Sequence, residues 1–355
     1  MKLNLGKAAS LLIFGFTILS CNDPKLEQTS GPNASEKAET IEFKGERVII
    51  PIYFPKELFG QTQEEFDAYY EKAAQGANVR SSGERALITY EELLRILVTQ
   101  NAKYPTINSE EGVLEKDLER IYRDFPDIET HAEANEKRAV VYDYYQTLCK
   151  RDVVAEVIAL ENAKNARTNG PSPGSLTKPE KNHLLLNPGL AQHYIQAAKD
   201  VEFLTPSIFG NNDDDNKANA FKHATWNALS IRYILKGSPV SENQAIDFTQ
   251  DGTSKHEQDD NGNQVHTQKE AMDLHNNMSA RVWMESETKW GFGPFRSIPK
   301  NDEIINTFVS RANSSSKHTM TDILNLHGGN VQNTWNNLYN NLYGPYQHLV
   351  NLNSN

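Results

Sequence analysis

Three short blocks in the second half of the chain carry side chains that bind metals, move protons or hold ligands. They are Lys222-His223-Ala224-Thr225-Trp226-Asn227, then His256-Glu257, then Asp273-Leu274-His275-Asn276-Asn277 with Arg281 one turn further on. Imidazoles and carboxylates gathered around one cleft have two hydrolytic uses. In a metal-assisted hydrolase, His223, His256 and Asp273 would bind a divalent metal ion while Glu257 activates a water. Without a metal, a histidine base oriented by Asp273 or Glu257 would activate the water directly. Asn227, Asn276 and Asn277 would donate hydrogen bonds to a developing oxyanion. The candidate catalytic residues are therefore His223, His256, Glu257 and Asp273, and the candidate binding residues are Trp226, Asn227, His275, Asn276, Asn277 and Arg281. The zinc-protease pattern is absent, because His256-Glu257-Gln258-Asp259-Asp260 lacks a second histidine four residues on.

Helices must position these groups. At about 100° per residue, Phe221, Ala224, Ala228, Ile231 and Leu235 form one apolar stripe, and Asn219, His223, Trp226, Asn227 and Ser230 gather on a different side. A second face built of His, Asn and Trp instead of Lys and Glu marks a buried or cleft-lining helix. A further helix is expected from the capping box Thr267-x-x-Glu270, with Ala271, Leu274, Met278 and Val282 as its apolar stripe. Asp273 and Asn277 share its opposite side. His275 projects about 200° from Asp273, so the two cannot reach one atom, and His275 is expected to bond to another helix.

Helix signals run through most of the chain, which reads as mostly α. Further capping boxes are Thr62-x-x-Glu65, Thr89-x-x-Glu92, Thr130-x-x-Glu133 and Ser241-x-x-Gln244. Two helical domains are expected, at 46–168 and 187–355, joined by a linker at 169–186 that contains Asn169-Gly170-Pro171-Ser172-Pro173-Gly174-Ser175. The first domain clusters no catalytic side chains and reads as a helical platform. In the second, Trp283, Trp290, Phe292 and Phe295 with Gly291, Gly293 and Pro294 read as an aromatic loop.

The three blocks, in order, resemble an uncharacterised bacterial domain family whose wording is DAFRHAYWNAL, AHE and MDLHNNxxGR, found in exported proteins and at the ends of large secreted toxin-like proteins. The resemblance covers about Asn187 to Trp283. It implies a helical fold and a shared polar site at His223, Trp226, Asn227, His256, Glu257, Asp273, His275, Asn276, Asn277 and Arg281, and no particular reaction. This chain has Asn219, Lys222, Lys255 and Ala280 where the family tends to have Asp, Arg, Ala and Gly. If that Asp is a ligand or base, Asn219 weakens this copy.

The N-terminus sets the address. Lys2 and Lys7 precede an apolar stretch, Ala8 to Leu19, that is shorter than the about 20 residues a membrane-spanning helix needs and suits a signal peptide at 1–20. It ends in Ile18-Leu19-Ser20-Cys21, which resembles a bacterial lipobox, so Cys21 is the expected lipidation site and 21–45 a flexible tether. The protein is thus expected in the bacterial cell envelope, at the outer membrane, with membrane lipid as its partner through acylated Cys21. A formal net charge of −11 without a Lys/Arg block argues against nucleic acid as a partner. With Cys21 acylated, Cys149 has no cysteine to pair with. Two function classes stand foremost, ahead of toxin-like or immunity roles. One is a hydrolase of a lipid, peptidoglycan or peptide ester or amide. The other is a ligand- or protein-binding scaffold in which the His/Asp/Asn cluster only fixes helix packing.

Overall fold

The computed structural model describes residues 38–77, 87–165, 175–288, 296–340 and 348–352. The signal peptide, Cys21, the Pro/Gly/Ser run at 169–174, Trp290, Phe292 and Phe295 lie outside the described residues.

The described chain opens with a hairpin, β1 (Ala38–Phe43) against β2 (Glu46–Pro51), in antiparallel register from Ala38↔Pro51 to Phe43↔Glu46. Helices α1 (Gln63–Gly76) and α2 (Tyr90–Asn101) follow, then a small strand pair, β3 (Ile107–Asn108) with β4 (Gly112–Val113). Next come α3 (Leu118–Asp124), α4 (His131–Glu136) and the long α5 (Arg138–Asn165). The motif-bearing half contains α6 (Lys178–Leu186), α7 (Pro188–Phe209), α8 (Lys217–Gly237), α9 (Glu242–His256) and α10 (Gln268–Glu287). It closes with α11 (Asn301–Asn313), β5 (Ser316–Lys317), α12 (Met320–His327), α13 (Val331–Asn340) and β6 (Val350–Asn351), β5 and β6 being parallel. The protein is mostly α.

Local chemistry starts these helices where the sequence places them. The five capping boxes at Thr62, Thr89, Thr130, Ser241 and Thr267 each form, with the N-cap oxygen accepting from the N3 amide and the N3 side chain accepting from the N-cap amide. For α8 the cap is Asn216, whose side chain accepts from the amides of Ala218 and Asn219.

The structure moves two sequence-drawn boundaries. Ala38–Phe43, assigned to the tether, is strand β1, because its backbone pairs with β2. Within the expected linker, Lys178–Leu186 is α6, started by Thr177, whose side chain accepts from the Glu180 amide. Pro179 sits inside the first turn, where its missing N–H costs nothing, so a residue that reads as a breaker is an initiator here.

One apolar core joins the two sequence-defined units. Phe66, Leu97 and Tyr145 from the first lie in the same buried cluster as Ala191, Tyr194 and Phe221 from the second. Helix α2 packs on both α5 and α7, and α8 lies against α7, α9, α10 and α11. The apolar stripe of α10 covers a smaller core in which Ala271, Leu274 and Met278 meet Ile323, Trp335 and Val350. Gly252 lets α9 lie close to α7, since a Cβ there would sit 3.0 Å from the Tyr194 ring. No helix among the described residues is long and apolar enough to cross a membrane.

Candidate functional site

Three helices deliver one side chain each to a common point. His223 comes from the second turn of α8, Asp273 from the second turn of α10, and Glu257 is the residue that caps the C-terminus of α9. His223 Nε2 lies 3.2 Å from Asp273 Oδ1, and His223 Nδ1 lies 3.7 Å from Glu257 Oε1. One ligand atom from each of the three falls within 4.8 Å of the others. The side chains are only 8%, 14% and 12% exposed for His223, Asp273 and Glu257. His223 Nδ1, Glu257 Oε1 and Asp273 Oδ1 are all buried without a hydrogen-bond partner, and so is Asn219 Oδ1, one helical turn before His223.

The electrostatics follow from that burial. Burial, then the neighbouring Glu257 charge, pushes the Asp273 carboxyl well above its ordinary range. Burial raises Glu257 to about 7, although the His256 charge opposes the rise. Burial, Lys222 and His256 together hold the His223 imidazole well below its usual value. One imidazole and two carboxylates that bring a ligand atom each within 4.8 Å of the others form a donor set that suits a divalent cation with borderline or hard N/O preference such as Zn, Mn or Fe. Such a cation would hold both carboxylates ionised and His223 neutral.

His256 is not part of this triad. Its Nδ1 lies 3.0 Å from Glu180 Oε2 and 3.1 Å from Tyr90 Oη, so that proton is shared between two fixed acceptors. Burial alone would lower the His256 pKa, but the charge and hydrogen bond of Glu180 outweigh it and hold it at about 9. Glu180 is fully buried and accepts from the hydroxyls of Tyr90 and Tyr194. The expected metal set of His223, His256 and Asp273 therefore becomes His223, Glu257 and Asp273. The cause is geometric, since His256 ends α9 pointing toward α6 and α2, while Glu257, one residue on, turns toward α8 and α10.

A cleft of about 540 Å³ reaches His223, and its walls do not include Glu257 or Asp273. Its walls are Lys222, His223 and Trp226 of α8, His256 of α9, Ala198, Lys199, Val201 and Glu202 of α7, and Thr89, Tyr90 and Glu91 at the start of α2. The Trp226 ring meets His256 edge-on, with centroids 5.1 Å apart.

The remaining motif residues tie helices together. Asn227 donates to Asn277 Oδ1 at 2.7 Å and accepts from Arg281 Nη1 at 3.0 Å, which links α8 to α10. Thr253 of α9 donates to the same Asn227 oxygen at 3.3 Å. Arg281 is fully buried among neutral partners, and burial lowers its pKa to about 9. His275 Nδ1 lies 2.8 Å from His327 Nε2 of α12, and its Nε2 lies 2.9 Å from the His348 carbonyl. Asn276 exchanges two hydrogen bonds with the backbone of Val350, at 3.0 and 2.9 Å, fastening β6 to α10. Offered from the sequence as binding residues, Asn227, His275, Asn276, Asn277 and Arg281 do not line the cleft, whereas Trp226 does.

Glu180, Tyr90 and Tyr194 escaped the sequence reading. Glu180 is the N3 residue of a Thr177 cap and Tyr90 the first residue of a capped helix, so each has an adequate local explanation. No local signal brings them to His256.

The fold and site define a helical protein with a buried imidazole–dicarboxylate cluster at the edge of a cleft. Residues 181–317 match the model of a family described as a domain of unknown function (DUF6973). The motif-bearing part of the chain is thus similar to an uncharacterised family. No curated protein and no solved structure matches the chain.

Proposed function

We propose that this is an exported, lipid-anchored protein of the bacterial cell envelope whose motif-bearing half hydrolyses an ester or amide with a divalent cation held by His223, Glu257 and Asp273. The observation that carries the reading is the convergence of His223, Glu257 and Asp273, which bring one possible ligand atom each within 4.8 Å of the others, with His223 also lining a cleft of about 540 Å³. The cation would supply Lewis acidity toward water and the scissile carbonyl. His256, seated on Glu180 and lining the cleft, gives a proton to the leaving group. Trp226 and Tyr90 offer an apolar wall for the substrate, and Lys222 and Lys199 are the cations at its rim. Lipid anchoring through Cys21 rests on the lipobox-like Leu19-Ser20-Cys21 and the apolar stretch before it. Replacing Cys21 with Ser should move the protein from the membrane fraction to the soluble one.

The scaffold reading keeps one specific support, the Asn227–Asn277–Arg281 and His275–His327 contacts, which serve packing. Elemental analysis separates the two. After exposure to Zn, Mn and Fe salts and gel filtration, the full chain should retain about one ion per chain, lost in Asp273→Asn and Glu257→Gln. A folded chain that retains none of these ions would defeat the metallohydrolase and leave the metal-free histidine base and the scaffold. A loaded chain then goes to ester and amide hydrolysis screens.

A further inference from the structure

The cleft has a wall that lies far outside the family-matched residues. Thr89, Tyr90 and Glu91 come from α2, whereas the match runs over 181–317. Tyr90 also does more than line the cleft. Its hydroxyl donates to Glu180 Oε1, and its oxygen lies 3.1 Å from His256 Nδ1. Glu180 itself is fully buried, takes a second hydroxyl from Tyr194 at 3.1 Å, and presents its other oxygen 3.0 Å from the same His256 nitrogen. His256 Nδ1 is therefore pinned from two sides, and the edge of Trp226, 5.1 Å away between centroids, limits ring rotation. With Nδ1 engaged on the protein side, Nε2 is the nitrogen left to act in the cleft. A carboxylate that fixes an imidazole in this way is a recurring support for a working histidine.

We infer that Tyr90 and Glu180 are positioning residues for His256, so that the helical unit before residue 166 completes the site instead of merely carrying it. This rests on the cleft being the active site, and its test is chosen to fail separately. Histidine-labelled full chain is compared with Tyr90→Phe, Glu180→Gln and, as control, Tyr194→Phe, by the His256 Nδ1–H resonance and by turnover of ethyl acetate, whose alkoxide leaving group needs a proton, followed by pH-stat. Tyr90→Phe removes one hydroxyl and leaves the ring packed against Trp226, so the fold and the metal content of the triad should persist. The expected result is a shifted or rapidly exchanging Nδ1–H signal in Tyr90→Phe and Glu180→Gln, with kcat down about tenfold and KM unchanged. Tyr194→Phe, which touches Glu180 and Tyr90 but not His256, should show the smaller change. A His256 signal in Tyr90→Phe and Glu180→Gln identical to that of the unaltered chain would overturn the inference. If the chain binds no metal and turns over no ester, the hydrolase reading fails, and the Nδ1–H signal alone decides the positioning role.

Discussion

At the residue scale, the triad sets function against stability. Asp273 and Glu257 have carboxyls whose folded pKa is raised, so the folded state binds more protons than the unfolded one. For Glu257 that window runs from its ordinary 4.5 to about 7, and this carboxyl's contribution to the stability of the metal-free protein falls as pH rises through it, while His223, whose pKa is lowered, contributes in the opposite sense. Asp273→Asn should therefore melt higher than the unaltered chain at pH 8 without metal, and lower once a saturating divalent ion is added. Differential scanning at pH 5 and pH 8, with and without metal, checks this. A network kept only for packing would lose stability under both conditions. Asn219 is the other residue to settle. Its buried, unpartnered Oδ1 sits on the His223 face of α8. Asn219→Asp adds a charged ligand and should tighten metal binding by about tenfold or more, measured by competition with a chelating dye. Unchanged affinity would show that position 219 does not reach the ion.

At the element scale, α8 is the organising helix. One side carries the apolar stripe of Phe221, Ala224, Ala228 and Ile231, all fully buried. The other offers His223 to the triad, Trp226 to the cleft, and Asn227 to both α9 and α10. Asn227→Ala would leave Arg281 Nη1 and Asn277 Oδ1 buried with a lost partner, at a cost of about 2–4 kcal/mol. Urea unfolding should show that loss while the folded fraction keeps its metal, because Asn227 is no ligand. A variant that melts normally but binds no metal would place Asn227 in the site and contradict the division drawn between the two kinds of motif residue.

At the scale of the whole molecule, the question is whether the motif-bearing half stands alone. Its α7 is covered by α2 and α5, and Ala191, Tyr194 and Trp226 share a core with Leu97 and Tyr145. Residues 175–355 expressed without the preceding helices would expose that face and deprive Glu180 of the Tyr90 hydroxyl. The fragment should lack a cooperative thermal transition and bind a hydrophobic dye. A sharp transition near that of the full chain would show an autonomous domain.

The amino-acid sequence alone determined the helices and the identity of the candidate site groups. Caps such as Thr89-x-x-Glu92 and Thr267-x-x-Glu270, and apolar stripes such as Ala271, Leu274 and Met278, are set by contacts within a few residues, so they are legible locally. Angular spacing also separated Asp273 from His275 before any packing was known, and His275 does bond to a neighbouring helix. Only the tertiary structure decided which groups meet. Adjacent residues at the end of α9 diverge, sending Glu257 to the triad and His256 to Glu180 and Tyr90, because past the end of a helix the chain direction is fixed by what it packs against. Tyr90 and Glu180 reach His256 across 166 and 76 positions of sequence. No periodicity spans such distances; shared burial of α2, α6, α7 and α9 brings them together.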